Sequence, residues 1–441
     1  MKKSRKLLSL VLCVCLLITL VGLIGCGNTS PEEQPGQQDD QNQGEKSKDD
    51  AKKPVELKIW WAEGDQFKAI LLDAILAYRD VNPHVKIVPQ WQPNFDTYDK
   101  LKVAIAGKTA PDITKLDSVF APALGFKGQL VDLTQFGAND IKDKFIESTW
   151  KAGMYKEQVY ALPFDANTIA FFYNKDILDK AGKEPPKTYE EIIEVGKAIE
   201  ALNLPDTYAY TVPVTSGTSG WLAFQWNFWL WRNGGEVLNE DWTKAVYNSP
   251  EGVEALQKVV DLVHKHEVVP PNVYLEPEFY DGNVGMLDMG CWNVPVITGE
   301  DAQANFGITT MPALKDGVPG HSGLGLYSIG VLTSCKAQQE AYEFVKFLAT
   351  NKEYQVTYSK KTNLMPSLVE AYEDEYFKTP AWEAFLAQLK IAKARPGTPA
   401  WPEIAEHMNI AIQEALTGKK TAQEALDGAV AKSNEALAKV K

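Results

Sequence analysis

This sequence has no basic excess and little cysteine or histidine. Its 441 residues carry 45 Lys and Arg against 58 Asp and Glu, a formal net charge of −13. That balance argues against nucleic acid as a partner, because a phosphate backbone calls for a basic footprint. Five cysteines do not make a disulfide scaffold: Cys13 and Cys15 lie in an apolar N-terminal run, Cys26 closes it, and only Cys291 and Cys335 remain in the body. The five histidines show no metal-ligand spacing, and His264-x-His266 falls late in an expected helix, facing solvent. Neither metal nor cofactor is therefore expected. There is no G-x-x-x-x-G-K-S/T phosphate loop and no G-x-S-x-G elbow, and glycines 323 and 325 lack the third glycine of a dinucleotide fingerprint. No repeat of solenoid period is apparent.

What is present begins with Lys2, Lys3, Arg5 and Lys6 ahead of an apolar run over residues 7–24, the charge-then-apolar order of a secretory signal. Its ending, Leu23-Ile24-Gly25-Cys26, resembles a bacterial lipobox. The resemblance implies that residues 1–25 are a signal peptide and that Cys26 is acylated, holding the chain at the outer face of the cell membrane. A plain transmembrane anchor is the alternative. Residues 26–54 are polar with no large apolar residue before Val55, so they cannot bury a core and read as a tether. A flexible chain of that length spans about 30 Å root-mean-square.

The body from 55 onward is long enough for two domains but contains no comparable linker. It opens with an alternating strand, Val55-Glu-Leu-Lys-Ile-Trp-Trp61. Phe67, Ile70, Leu71, Ala74, Ile75 and Tyr78 then follow at helical spacing, and a second strand covers 85–90. A helix over 98–106 and a strand ending at Leu116-Asp117-Ser118 continue the pattern, which implies a parallel sheet with helices on its faces. Thr188 and Glu191 form a capping box for a helix burying Ile192, Val195, Ile199 and Leu202. Ser249-Pro250 opens another, with Val253, Leu256, Val260 and Val263 inward. Trp221 to Trp231 is the densest aromatic segment, part of which must be core. Strands are expected over 306–311 and 323–332. Helices are expected through Ala337–Leu348, over 402–416, and over 421–437 behind the box Thr421-x-x-Glu424.

The chain is organised around residues 160–176, YALPFDANTIAFFYNKD. Ile169 to Tyr173 reads as a strand buried on both faces, entered through a polar cluster of Asp165, Asn167 and Thr168. A strand end of this kind can present a polar site, although a loop of Asx turns explains the cluster equally. This stretch resembles the hinge segment of the extracellular sugar-binding proteins of ABC transporters, the maltose-binding-like branch. Three further segments are similar to that family: K-V-A-I-A-G-K-T-A-P-D-I at 102–113, the strand ending at Gly290-Cys291-Trp292, and R-P-x-x-P-x-x-P-E-I at 395–404. The resemblance implies a two-lobed periplasmic-binding-protein-like α/β fold (type II), each lobe a mainly parallel sheet flanked by helices, joined by a hinge of crossing strands. Lobe 1 would hold 55–165 and 328–362, and lobe 2 would hold 166–327 and 363–441.

On the same footing the chain is a non-enzymatic monomer that closes on a sugar and delivers it to the permease subunits of an ABC importer. Its ligand contacts would be Trp61, Glu63, Asp117, Asn167, Trp221, Trp292 and Arg395. The chemistry is consistent, since a pyranose offers flat apolar faces ringed by hydroxyls and is gripped by an aromatic plate with amide, carboxylate and guanidinium partners at its edge. The 12 tryptophans could also serve packing alone. A secreted carbohydrate-active hydrolase would need two carboxylates about 5–10 Å apart, which sequence cannot pair, and a rigid carbohydrate-binding adhesin would need no closing motion.

Overall fold

The computed structural model describes residues 53–62, 64, 67–92, 97–212, 219–271, 275–299 and 303–440, with backbone alone at 219–221. The expected signal peptide, Cys26, nearly all of the tether and Glu63 lie outside the described residues, as does the side chain of Trp221. Among the described residues no helix is long and apolar enough to cross a membrane, and no cluster could hold a metal ion.

Strands β1 (Val55–Ala62), β2 (Val85–Gln92) and β3 (Ile113–Asp117) are parallel, with β1 in the middle, as β-α-β connections require. The period of two decides which side chains of β1 face inward: Leu57, Ile59 and Trp61 are buried, Glu56 and Lys58 exposed. Helix Lys68–Val81 covers this sheet with Ile70, Leu71, Ala74 and Tyr78 and ends at Asn82, ahead of Pro83, which cannot continue it. A separate ribbon of β4 (Met154–Tyr155) and β5 (Gln158–Val159) precedes β6 (Leu162–Asn174). The remaining strands are β7 (Tyr208–Thr211), β8 (Val284–Gly290), β9 (Phe306–Thr309), β10 (Gly323–Val331), β11 (Met365–Pro366) and β12 (Lys393–Ala394).

The main sheet runs in the order β2-β1-β3-β10-β6-β8-β7, with β9 and β11 paired to β6 and β12 to β10. Among the described strands outside the ribbon, every antiparallel strand pair involves β6 or β10. The parallel character expected of each half is kept in β2-β1-β3 and in β7-β8. Strand β6 belongs to both halves. Its residues up to Thr168 pair with β10, whereas Ile169 to Asn174 pair with β8 and β9. Strand β11 joins at the same point, so that Tyr327 and Pro366 both lie opposite Asp165, and Leu326 and Met365 opposite Ala166. Three strands thus meet where the sheet passes from one half to the other.

One expectation changes here. The polar cluster at 163–168 is not a loop leading into a strand but part of the strand itself. Its fully buried polar groups, Asp165 and Thr168, are paired internally, so burial does not leave them unsatisfied. Thr168 Oγ1 donates to the Gly323 carbonyl at 3.0 Å. Asp165, 0% exposed, lies 3.2 Å from Lys115 Nζ and accepts from the Tyr358 hydroxyl at 3.2 Å. Pro163, which can offer no ladder N–H, sits beside the register shift between Tyr327 and Ser328.

In the other half, Thr188 caps helix Tyr189–Glu200 by accepting from Glu191 N. The Glu191 carboxylate accepts from Lys187 N instead of closing the box on Thr188. Helix Pro250–His264 buries Leu256, Val259, Leu262 and Val263, a face rotated from the expected one, so that Val253 and Val260 are only partly buried. The reciprocal box Thr421–Glu424 is complete and opens helix Ala422–Ala438. Cys291 and Cys335 are buried free thiols, and burial pushes each up to about 12.

Candidate ligand-binding site

Strand register alone draws the candidate residues into one neighbourhood. Asp117, the last residue of β3, lies opposite Tyr327 of β10, and Tyr327 lies opposite Asp165 of β6. Two positions further along, Asn167 faces Gly325, and two beyond that Ile169 faces Gly290, the end of β8. The far half of the molecule also reaches back over Asp117: Val119 packs in the same apolar cluster as Phe171, Tyr210 and Trp401.

Arg395 follows β12, which docks on the start of β10. Its Nη2 donates to both Asp117 oxygens, at 2.8 and 3.0 Å, and its guanidinium lies 4.9 Å from the Phe224 ring centroid. Both partners are largely shielded, with side-chain exposures of 12% for Arg395 and 30% for Asp117. Arg395 Nε is buried and has no hydrogen-bond partner among the described residues. Half-buried Tyr327 stands beside this pair, and burial, reinforced by the Asp117 carboxylate, pushes its phenol up to about 12. It remains a neutral hydroxyl at any physiological pH.

At the end of β8 the chain turns so that the Trp292 ring folds back over Gly290. A Cβ at 290 would fall 2.2 Å from ring carbons, so only glycine fits beneath the indole, a close approach of the kind glycine permits. Trp292 is half-buried and packs against both large apolar clusters. The next residue, Asn293, is 7% exposed and its Nδ2 has no partner among the described residues. Asn167 is half-buried, its amide lying where a side chain at Gly325 would otherwise be. Unpaired buried donors are rare in native structures and call for an explanation. Here two of them accompany a half-open tryptophan and a guanidinium.

The sequence profile of a family described as Bacterial extracellular solute-binding protein matches residues 73–385. The chain belongs to that family. Among relatives of this solute-binding protein, the galactooligosaccharide-binding protein of Bacillus subtilis is 25% identical over 444 residues, covering 97% of this chain and 96% of the relative. The sn-glycerol-3-phosphate-binding periplasmic protein of Salmonella typhimurium is 27% identical over 398 residues, covering 82% and 87%. Among solved structures, the cyclic alpha-maltosyl-1,6-maltose binding protein of Arthrobacter globiformis superposes with a TM-score of 0.76 at 28% identity, over 87% of this chain and 99% of that one. An ABC transporter solute-binding protein of Thermotoga lettingae gives 0.74 at 24% identity, over 87% and 100%, and shares the fold. The fold is the two-lobed periplasmic binding-protein fold, and β6, β10 and β11 meet where the sheet passes from one half to the other.

Of the residues expected to touch ligand in this solute-binding protein, Asp117 and Arg395 are in direct contact, Asn167 and Trp292 lie further along the same sheet, and Glu63 and the Trp221 side chain lie outside the described residues. Trp61 is a correction. Alternation along β1 turns it inward to 0% exposure, with its ring edge-on to Phe164 at 5.1 Å and under Lys115 Nζ at 5.0 Å. The outward residue is Trp60, whose Nε1 donates to Gln90 Oε1. Helix Ser219–Arg232 uses Trp226, Trp229 and Trp231 as core, all at or below 2% exposure. Sequence reasoning missed Tyr327, Asn293 and Phe224. Of these, only Asn293 had a usable signal, its position next to Trp292.

Behind the site Asp288 is buried, accepts from the Tyr210 hydroxyl at 2.6 Å and lies 3.8 Å from Arg232 Nη2. Burial pushes its carboxyl up to about 6 despite the guanidinium.

Proposed function

We propose that this solute-binding protein captures a neutral sugar or oligosaccharide outside the cell, closes its lobes around it and presents it to the permease subunits of an ABC importer, without chemically changing it. The observation that carries this reading is the row of Asp117, Arg395, Asn167 and Trp292 along the crossing strands, with Arg395 Nε and Asn293 Nδ2 unpartnered among the described residues. A carboxylate, a guanidinium, an amide and a half-exposed indole are the groups that match hydroxyl edges and an apolar sugar face. Between the ligands named for the two relatives, a neutral sugar suits the site better than a glycerol phosphate. Asp117 already neutralises Arg395, and its carboxylate would repel a phosphate held at the same guanidinium. Lobe 1 is taken as 55–165 with 328–362 and lobe 2 as 166–327 with 363–441, with Glu63 and Trp221 as further contacts.

Titrating the chain from residue 53 onward with mono- and oligosaccharides tests the reading. Saturable binding with the sugar recovered intact supports it; hydrolysis, or preference for phosphate esters, overturns it. The lipid anchor at Cys26 belongs to the same proposal. Cys26→Ser is expected to release the protein from membranes or leave it unprocessed, and unchanged migration with full membrane retention would contradict the anchor.

A further inference from the structure

Trp242 is placed as few surface tryptophans are. It is 45% exposed, and its backbone φ is +56°, the left-handed region that glycine and asparagine tolerate and a bulky aromatic residue does not favour. Two unfavourable features therefore coincide at one residue, an apolar ring left in water and a strained backbone.

The surrounding turn is built to hold that conformation. Trp242 N donates to the Asn239 carbonyl at 3.0 Å and Asn239 N to the Lys244 carbonyl at 3.0 Å. Asn239 Oδ1 accepts from Lys244 N, and Asp241 Oδ1 accepts from both the amide and the hydroxyl of Thr243. The base of the turn is fixed by the bridge between Leu238 and Ala245 and by Ala245 N donating to Asn434 Oδ1 of helix Ala422–Ala438. The turn is thus a rigid mount for the indole.

The position of the indole gives it a use. A Cβ built on Gly397 would lie 3.6 Å from Trp242 Cη2, 3.2 Å from Pro122 and 3.5 Å from the Met154 carbonyl. Gly397 is two residues beyond Arg395, which grips Asp117, so the ring stands immediately outside the candidate site. On the facing side Met154 leads to Tyr155, whose ring meets that of Phe126 edge-on at 5.9 Å, and Phe126 is 42% exposed. Exposed aromatic rings from two separate parts of the chain therefore lie around Gly397.

We propose that Trp242 forms an outer subsite, stacking on a sugar unit that projects out of the site past Gly397, so that the preferred ligand is an oligosaccharide and not a single sugar. This rests on the sugar-binding reading above. An exposed strained tryptophan on a rigid turn loses little conformational freedom on binding, which favours it as a preorganised plate.

The test is the ratio of tetrasaccharide to monosaccharide affinity for one sugar series, measured by calorimetry on the wild type, Trp242→Asn and Trp242→Tyr. Asparagine suits the left-handed backbone and removes the plate, while tyrosine keeps an aromatic face. Losing one stacked sugar face is expected to lower the ratio about thirty-fold in Trp242→Asn, with Trp242→Tyr near the wild type. An unchanged ratio in Trp242→Asn overturns the outer subsite, as does an equal loss for both ligand lengths, which would mark Trp242 as a residue that shapes the turn. A wild type that binds no sugar of any length overturns the sugar-binding reading itself, and the subsite with it.

Discussion

Replacing Lys115 by methionine is expected to lower the free energy of unfolding by about 3–5 kcal/mol, the typical result of stripping one partner from a buried ion pair. Lys115 and Asp165 are 2% and 0% exposed, with Nζ 3.2 Å from Oδ2. The ammonium also donates to the Tyr358 hydroxyl at 2.7 Å and is ringed by Trp61, Phe164, Tyr327 and Tyr358, with centroids between 4.9 and 5.3 Å away. Methionine fills similar space but leaves the Asp165 carboxylate in a low-dielectric site without its counter-ion. The double variant Lys115→Met/Asp165→Leu, which removes both charges, is expected to recover most of the loss, because replacing a whole buried pair by apolar residues is often nearly neutral. Denaturant unfolding of the two variants checks this. A single-variant loss below about 1 kcal/mol would mean the carboxylate finds another counter-charge or is protonated at little cost. Asp165 is the residue at which β6, β10 and β11 meet, so the pair fixes the point about which the halves would turn.

Trp292→Ala is expected to weaken sugar binding about thirty-fold. Stacking one pyranose face removes about 80–100 Å² of apolar surface, worth about 2 kcal/mol at roughly 25 cal/mol per Å², which converts to that factor in affinity. Gly290→Ala should reproduce much of the loss without touching the indole. Its Cβ would sit 2.2 Å from the Trp292 ring and force it from its seat. Calorimetry measures both, with thermal unfolding as the control. If Trp292→Ala binds sugar as the wild type does, or simply unfolds, the ring is core packing and not a plate.

Much of this was legible in the sequence. Period-two alternation set the facing of β1, and helical spacing with caps at Thr188 and Thr421 located two helices. What failed did so for identifiable reasons. Lys115 in Ile-Thr-Lys-Leu reads as a solvent-facing strand residue, and its burial is made tolerable by Asp165, 50 positions later, and by Tyr358. The polar residues 163–168 read as a loop because their partners, Tyr358 and the Gly323 carbonyl, are far along the chain. The Asp117–Arg395 contact spans 278 positions and depends on the two-residue strand β12, too short to leave a pattern. Trp61 was legible as inward from alternation, and the search for an aromatic plate for a sugar face drew it wrongly toward the ligand. On helix Pro250–His264 the valines at 253 and 260 competed with Val259 and Leu262 for the buried face, and periodicity alone does not choose between adjacent stripes.

Ligand is expected to hold together two halves that turn about the crossing strands, since Asp117 on one side and Trp292 on the other can share one sugar only when the halves are close. Small-angle scattering during the sugar titration, on the chain from residue 53 onward, tests this most directly. The radius of gyration is expected to fall in step with site occupancy, with tryptophan fluorescence changing at the same ligand concentration. A saturated site with unchanged radius and unchanged fluorescence would contradict the clamp and point to a rigid carbohydrate-binding surface.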